Sequence, residues 1–439
     1  MKINFYILVL LSLVVMGFYN RAAPQSDPFV KVNGLQFTVN GHPYYFLGTN
    51  VWYGANLGAL TEGSNRDRLV RELDLLKELG ISNLRVLGAS EGNTQHNTVN
   101  PAIQPELGIV DEKVLIGLDF LLSEMAERGM YAVIYLNNYW VWSGGMSQYV
   151  AWLENEKVPN PFLPPFDWGR FMDYSARFYT HEGANRAYQD YIGQLISRKN
   201  TVNGMIYRDD PAIMAWQLAN EPRPGQGESG KENYAVFSRW VDQTAGFIKS
   251  LDTNHLVSTG NEGTAGCIGS ADIFKEIHTY NHIDYMTFHL WLLNWRWFDP
   301  QKAEETYPEA EEKALAYIDE HIGYAMEIGK PIVIEEFGIP RDLHSYSPEA
   351  STVYRDKYFN VVFERIYDDA SNGGPLVGSN FWAWGGFGKA RDPKEAVWKK
   401  GDEFTGDPPQ EPQGRNSIFA GDSTTLFILS KYGHLMTGL

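Results

Sequence analysis

Along the chain, short apolar runs alternate with longer stretches in which apolar residues return every three or four positions. The short runs predict strands over 44–50, 81–87, 131–137, 213–219, 256–260, 285–289, 331–336 and 378–384. The longer stretches predict helices such as 64–79, 111–128, 184–199, 233–250, 303–328 and 351–369, because that spacing lays apolar side chains along one helical face. Eight strands alternating with helices in one uninterrupted chain predict an α/β fold, a closed (β/α)8 TIM barrel. An open doubly wound sheet fits less well, since no Gly-x-Gly-x-x-Gly follows the first strand. Residues 31–40, ahead of the first barrel strand, predict a short hairpin plugging the barrel bottom. Two connections are long, 138–179 after the third strand and 385–416 after the eighth. Both emerge at the C-terminal face, where barrel enzymes carry their sites.

The N-terminus does not belong to this pattern. Met1-Lys2-Ile3-Asn4 leads into an apolar run over 5–18, with small residues at Ala22-Ala23, the layout of a signal peptide over 1–23. A single domain over 28–439 and a secreted or periplasmic location are therefore expected. The run falls short of the roughly 20 apolar residues of a membrane span. No other stretch is apolar enough, so no membrane association is expected after cleavage.

Composition narrows the partners. A net charge of −17 disfavours nucleic acid and anionic membranes and suits a neutral substrate. The single cysteine, Cys267, excludes intrachain disulfides and cysteine-built metal clusters. Thirteen Trp are enough to fill part of a core and still leave flat rings for stacking on sugars. No repeat or low-complexity linker marks a second domain, and a monomer is expected.

The candidate chemistry sits where apolar strands stop. The fourth strand runs out into Ala219-Asn220-Glu221-Pro222-Arg223, and the seventh into Ile334-Glu335-Glu336-Phe337-Gly338. A carboxylate inside an apolar strand would be buried without a partner at a cost of several kcal/mol, whereas at the barrel mouth it can meet substrate. Two such groups are what hydrolysis of an acetal needs, one to protonate the departing oxygen and one to attack or stabilise the anomeric carbon. Neither role requires a metal or cofactor, and none is expected. Either Glu alone reads better as a salt bridge to a loop Arg; the two together favour catalysis.

With these motifs in place, the chain resembles glycoside hydrolase family 5, and within it the β-mannanase group. Asn220-Glu221-Pro222 is similar to that family's acid/base motif and Glu336-Phe337-Gly338 to its nucleophile motif; Asn83-Leu84-Arg85-Val86, His289 and Phe381-Trp382 extend the likeness. The resemblance implies a retaining endo-β-1,4-mannanase acting on mannan, glucomannan or galactomannan, with Glu221 as acid/base and Glu336 as nucleophile. An exo-acting β-mannosidase and a β-1,4-glucanase remain open. Glu335 is expected to point to the opposite face of its strand. Arg85, permanently charged, would hold Glu336 ionised, and Asn220 would bind the sugar 2-hydroxyl. His289 would orient the acid/base or a hydroxyl, and Trp382 would floor the subsite under attack. The family commonly has His-x-Tyr where this chain has His289-Leu290-Trp291, so either the Trp291 indole takes over the Tyr hydrogen bond to the nucleophile or Trp291 only stacks on sugar. Segments around Trp52, around Asn138 with Trp140, and at Glu262 resemble the mannanase group more than its cellulases, and these residues are expected at the substrate.

Two further patterns are decoys. Gly88-Ala89-Ser90-Glu91-Gly92 matches an esterase nucleophile elbow, but a polar stretch over 93–97 follows where a helix should begin. His278 and His282 have helical spacing for a metal pair, yet no Glu follows His278 as a zinc-protease motif requires.

Overall fold

The computed structural model describes residues 27–92, 98–391 and 397–439. The expected signal segment and the 93–97 stretch lie outside these. At the base, β1 (Lys31–Asn33), β2 (Gln36–Val39) and β3 (His42–Tyr44) pair antiparallel, one strand more than the expected hairpin. Their Phe37 is fully buried against Phe46 and Tyr285, closing the barrel floor.

The barrel strands are β4 (Phe46–Asn50), β5 (Ile81–Leu87), β6 (Tyr131–Tyr135), β7 (Ile213–Gln217), β8 (Leu256–Ser258), β9 (Met286–Leu290), β10 (Ile332–Phe337) and β11 (Leu376–Phe381). All eight are parallel neighbours in sequence order, with β11 returning to β4 through Gly378↔Phe46 to Phe381↔Thr49. Between β8 and β9 the ring closes through the Ser258↔Tyr285 bridge and the Asp284 N–H to Val257 carbonyl hydrogen bond of 2.8 Å.

The helices are α1 (Gly54–Gly58), α2 (Arg66–Glu78), α3 (Glu112–Glu127), α4 (Gly145–Glu154), α5 (Trp168–Ala176), α6 (Glu182–Ile196), α7 (Gly227–Leu251), α8 (Ala271–Thr279), α9 (Ala303–Ile328), α10 (Val353–Ser371) and α11 (Ser423–Thr437). Side chains that accept from the first-turn N–H groups set several starts: Asn65 for α2, Asp111 for α3, Asp167 for α5 and Ser270 for α8. Gly329, at φ +79°, ends α9 in the left-handed conformation that glycine adopts without strain. No described helix is long and apolar enough to cross a membrane.

The long connections are more ordered than bare loops. The one after β6 carries α4 and α5. The one after β11 begins in β12 (Trp384–Gly386), which pairs with β13 (Ile418–Phe419). It is lashed from within: buried Asp407 accepts from the N–H groups of Gly414 and Asn416 and from Ser417 Oγ, and Arg355 of α10 donates to the Ser417 and Arg415 carbonyls. Asp422, just ahead of α11, pairs with Arg341 at 2.6 Å and lies 3.6 Å from Arg355.

Neither decoy forms a site. Ser90 is buried and accepts from the Ile103 N–H. His278 is buried in contact with Thr259 and the Phe274 carbonyl, while His282 is exposed beside Asp242.

Candidate active site

Glu221 lies just past β7 with its N–H bonded to the Gly260 carbonyl, and its φ of +49° is a strained conformation for a non-glycine residue. Across the barrel, β10 carries a bulge: Ile334 pairs with Phe288 and Glu336 with His289, leaving Glu335 as the extra residue. The bulge overturns the expected alternation. Glu335 also projects into the barrel, where it accepts from Gln217 Nε2 at 2.5 Å and sits 3.7 Å from Arg85. Burial pushes its carboxyl up to about 7, against the pull of Arg85 and Gln217.

Glu336 sits one step closer to the mouth. Ligand-type atoms of Glu221, His289 and Glu336 all lie within 4.8 Å of one another. That spacing could suit a divalent cation, but Arg85 and Arg223 already bring positive charge to this cluster, which opposes a third cation.

Arg85, fully buried on β5, ties the carboxylates to their surroundings. Its guanidinium donates to Glu336 at 2.5 Å, Asn220 at 2.8 Å, Gln217 at 2.8 Å and Asn50 at 3.1 Å. Asn220 in turn donates to Asn138 at 3.2 Å. His289 places Nδ1 2.7 Å from Glu221 and 3.4 Å from Glu336, and burial lowers its pKa to about 4, so the imidazole is neutral near pH 7. Trp140 donates its indole N–H to the second Glu221 oxygen, and its ring lies under the Arg223 guanidinium at 4.7 Å. Arg223 forms an ion pair with Glu262 and reaches within 4.0 Å of Glu221. Burial, helped by the charge of Glu221, still lifts Glu262 to about 8.

Two buried carboxyl groups this close do not ionise independently. Burial and the Glu221 charge push Glu336 well above the usual carboxylate range despite Arg85. At Glu221 burial acts in the same sense but is outweighed by His289, Arg223 and Trp140, which hold it down to about 2. The pair therefore holds one proton between them more readily than either group would alone, with Arg85 against Glu336 and His289, Arg223 and Trp140 against Glu221.

These groups open into a cleft of about 270 Å³. Of the residues expected at the substrate, Glu221, Glu336, Asn220, Trp140, Glu262, Trp291 and Trp382 line it. Arg85 and His289 are buried directly beneath, holding the carboxylates. Trp291 meets Trp382 edge-on at 6.1 Å, and the hydrogen bond that Glu336 accepts comes from Arg85 rather than the indole.

Trp52 and Asn138 do not reach the cleft. Trp52 is fully buried, donating to the Gly406 carbonyl at 2.8 Å and backing Trp142, which does line the cleft. Asn138 is buried too; its carboxamide accepts from the Trp140 N–H and donates to Ser143, so it fixes the Trp140 turn. Sequence reasoning assigned no role to Arg223, whose only signal is a permanent cation one residue after Asn220-Glu221-Pro222. It also missed Gln410, Glu411 and Asn416, which the connection after β11 carries to the cleft wall.

A model of glycoside hydrolase family 5 β-mannosidase-like proteins matches residues 27–438. The putative mannan endo-1,4-β-mannosidase 4 of Arabidopsis thaliana is 31% identical over 87% of this chain and 89% of its own. The crystal structure of a glycoside hydrolase family 5 mannosidase from Rhizomucor miehei superposes with a TM-score of 0.86 at 36% identity, covering 94% of this chain and 99% of that one. An endo-β-1,4-mannanase from Thermotoga petrophila gives 0.67 at 26% identity, covering 92% and 78%.

Proposed function

This chain belongs to the glycoside hydrolase family 5 β-mannosidase-like family, and from that premise we propose that it cleaves β-1,4-linked mannose chains with retention of configuration, through Glu221 and Glu336. The observation that carries the mechanism is the pair itself: oxygens of the two carboxyl groups come within 4.8 Å of each other, a close approach that supports direct attack, as in retaining pairs, whose carboxyl groups stand roughly 5–5.5 Å apart.

In the first step Glu221 gives its proton to the glycosidic oxygen while Glu336 attacks the anomeric carbon; the sugar–oxygen bond breaks and an ester to Glu336 forms. Water then attacks that carbon, Glu221 takes its proton, and Glu336 leaves. The proton must first stand on Glu221. A glycosidic oxygen against Glu221 adds an acceptor for that proton, and Arg85 together with the positive charge growing at the anomeric carbon favours ionised Glu336. Asn220, held by Arg85 and Asn138, lines the cleft and would bind the 2-hydroxyl, and Trp382, also in the lining, would floor the reacting sugar. Export of the enzyme, as its N-terminus suggests, would bring it to such polymers.

Endo action on mannan is the first reading, supported by the names of the plant and Thermotoga relatives. Exo action is the second. It is favoured by Pro408, Gln410, Glu411 and Asn416, which close on the same cleft as the carboxylates. Timed chromatography of mannohexaose digests separates them: mannobiose and mannotriose first support endo action, mannose alone from the start supports exo. Equal rates on carboxymethylcellulose and glucomannan would turn the reading to a β-1,4-glucanase.

A further inference from the structure

The segment Val158-Pro159-Asn160-Pro161-Phe162-Leu163-Pro164-Pro165-Phe166-Asp167-Trp168 leaves large apolar side chains on the surface that folding does not explain. Leu163, Phe166 and Trp168 are 42%, 60% and 42% exposed. Scattered exposed apolar residues are ordinary, but Trp168 and the Phe162 ring beside it line the cleft itself, where exposed aromatic surface marks a binding site.

The segment is also stiff. Four prolines in eleven residues restrict the backbone. Asp167 accepts from the Arg170 N–H and fixes the first turn of α5, which Trp168 begins. The Trp168 ring is held by edge contacts to Phe162 at 5.0 Å, Trp140 at 5.8 Å and Phe171 at 6.4 Å. A rigid aromatic face binds at little cost in conformational entropy.

Its position tells which part of a substrate it meets. Trp168 and Phe162 line the cleft beside Trp140, the residue that donates to Glu221. At the other carboxylate, the Trp382 N–H donates to the carbonyl of Phe337, next to Glu336. The group that protonates the departing oxygen faces the departing sugar. We propose that Trp168, with Phe162 beside it, is the platform on which the leaving-group end of the mannose chain stacks, and so sets the preference for oligosaccharide over small leaving groups. This rests on the roles proposed for Glu221 and Glu336.

The test compares mannotetraose with β-mannosyl fluoride, whose fluoride occupies no sugar platform. For Trp168→Ala, the ratio of kcat/KM on mannotetraose to kcat/KM on the fluoride is expected to fall about tenfold, and Trp168→Phe to restore most of it. An unchanged ratio in Trp168→Ala overturns the proposal, whether both activities persist or both fall together, the latter meaning that the ring only props Trp140. Wild-type enzyme that cleaves neither substrate would overturn the underlying reading before any variant is compared.

Discussion

Glu335 and Glu336 are adjacent in the chain, yet the bulge in β10 turns both into the barrel, one onto Gln217 and the other onto Arg85. Either substitution to alanine should therefore lower activity, since each disturbs the same buried guanidinium. Only the loss of Glu336 leaves room for a replacement nucleophile. Azide added to Glu336→Ala with an activated β-mannoside should restore turnover and give the α-mannosyl azide, while Glu335→Ala should not respond. Rescue of Glu335→Ala in its place would reverse the assignment.

Proton NMR of the first product from a β-mannoside should show the β-anomer before mutarotation. An initial α-anomer would mean single displacement by water, despite the short distance between Glu221 and Glu336.

Glu91 should make stability depend on pH. Burial lifts its carboxyl to about 8, only partly offset by the Gly145 N–H that it accepts. The unfolded value is about 4.3, so between the two the folded chain holds a proton that the unfolded chain has lost. Its contribution is complete below about 4.3 and is lost as pH rises toward 8, by up to about 1.4 kcal/mol per pH unit. Against wild type, Glu91→Gln should gain stability steadily from pH 5 to 8 in denaturant titrations. A difference independent of pH would show that Glu91 is ionised in the fold.

Trp52→Ala should cost about 3–5 kcal/mol of stability, as a large core deletion does, and affect activity only through Trp142, which it supports. Thermal unfolding and KM for mannotriose, measured together, check this. A large rise in KM at unchanged Tm would put Trp52 at the sugar after all.

The strands were legible because parallel barrel strands are covered on both faces and read as unbroken apolar runs. Glu221 and Glu336 stood out because each ends such a run with a charge. The orientation of Glu335 was not legible: a one-residue bulge leaves no mark in an apolar segment, yet reverses which face a side chain takes. Trp52 and Trp140 look alike in sequence, and what separates them is Phe404 and Gly406, some 350 positions from Trp52, closing over its ring. Gln410, Glu411 and Asn416 escaped notice for a related reason. Their segment has no periodicity, and it is shaped by Asp407, Arg355 and Asp422, pairings that no local pattern encodes.

The pairing of β4 with β11 and the tether at Asp422 bear on how the molecule is made. The first barrel strand finds one of its two neighbours only after Leu376–Phe381 has been synthesised, and the cleft wall gains its last fastening only with Asp422. A chain still growing on the ribosome thus carries an open-edged sheet and an unfinished pocket. Activity should arrive only once Asp422 is in place, and chains terminated before Leu376 should be prone to edge-to-edge association instead of being weakly active.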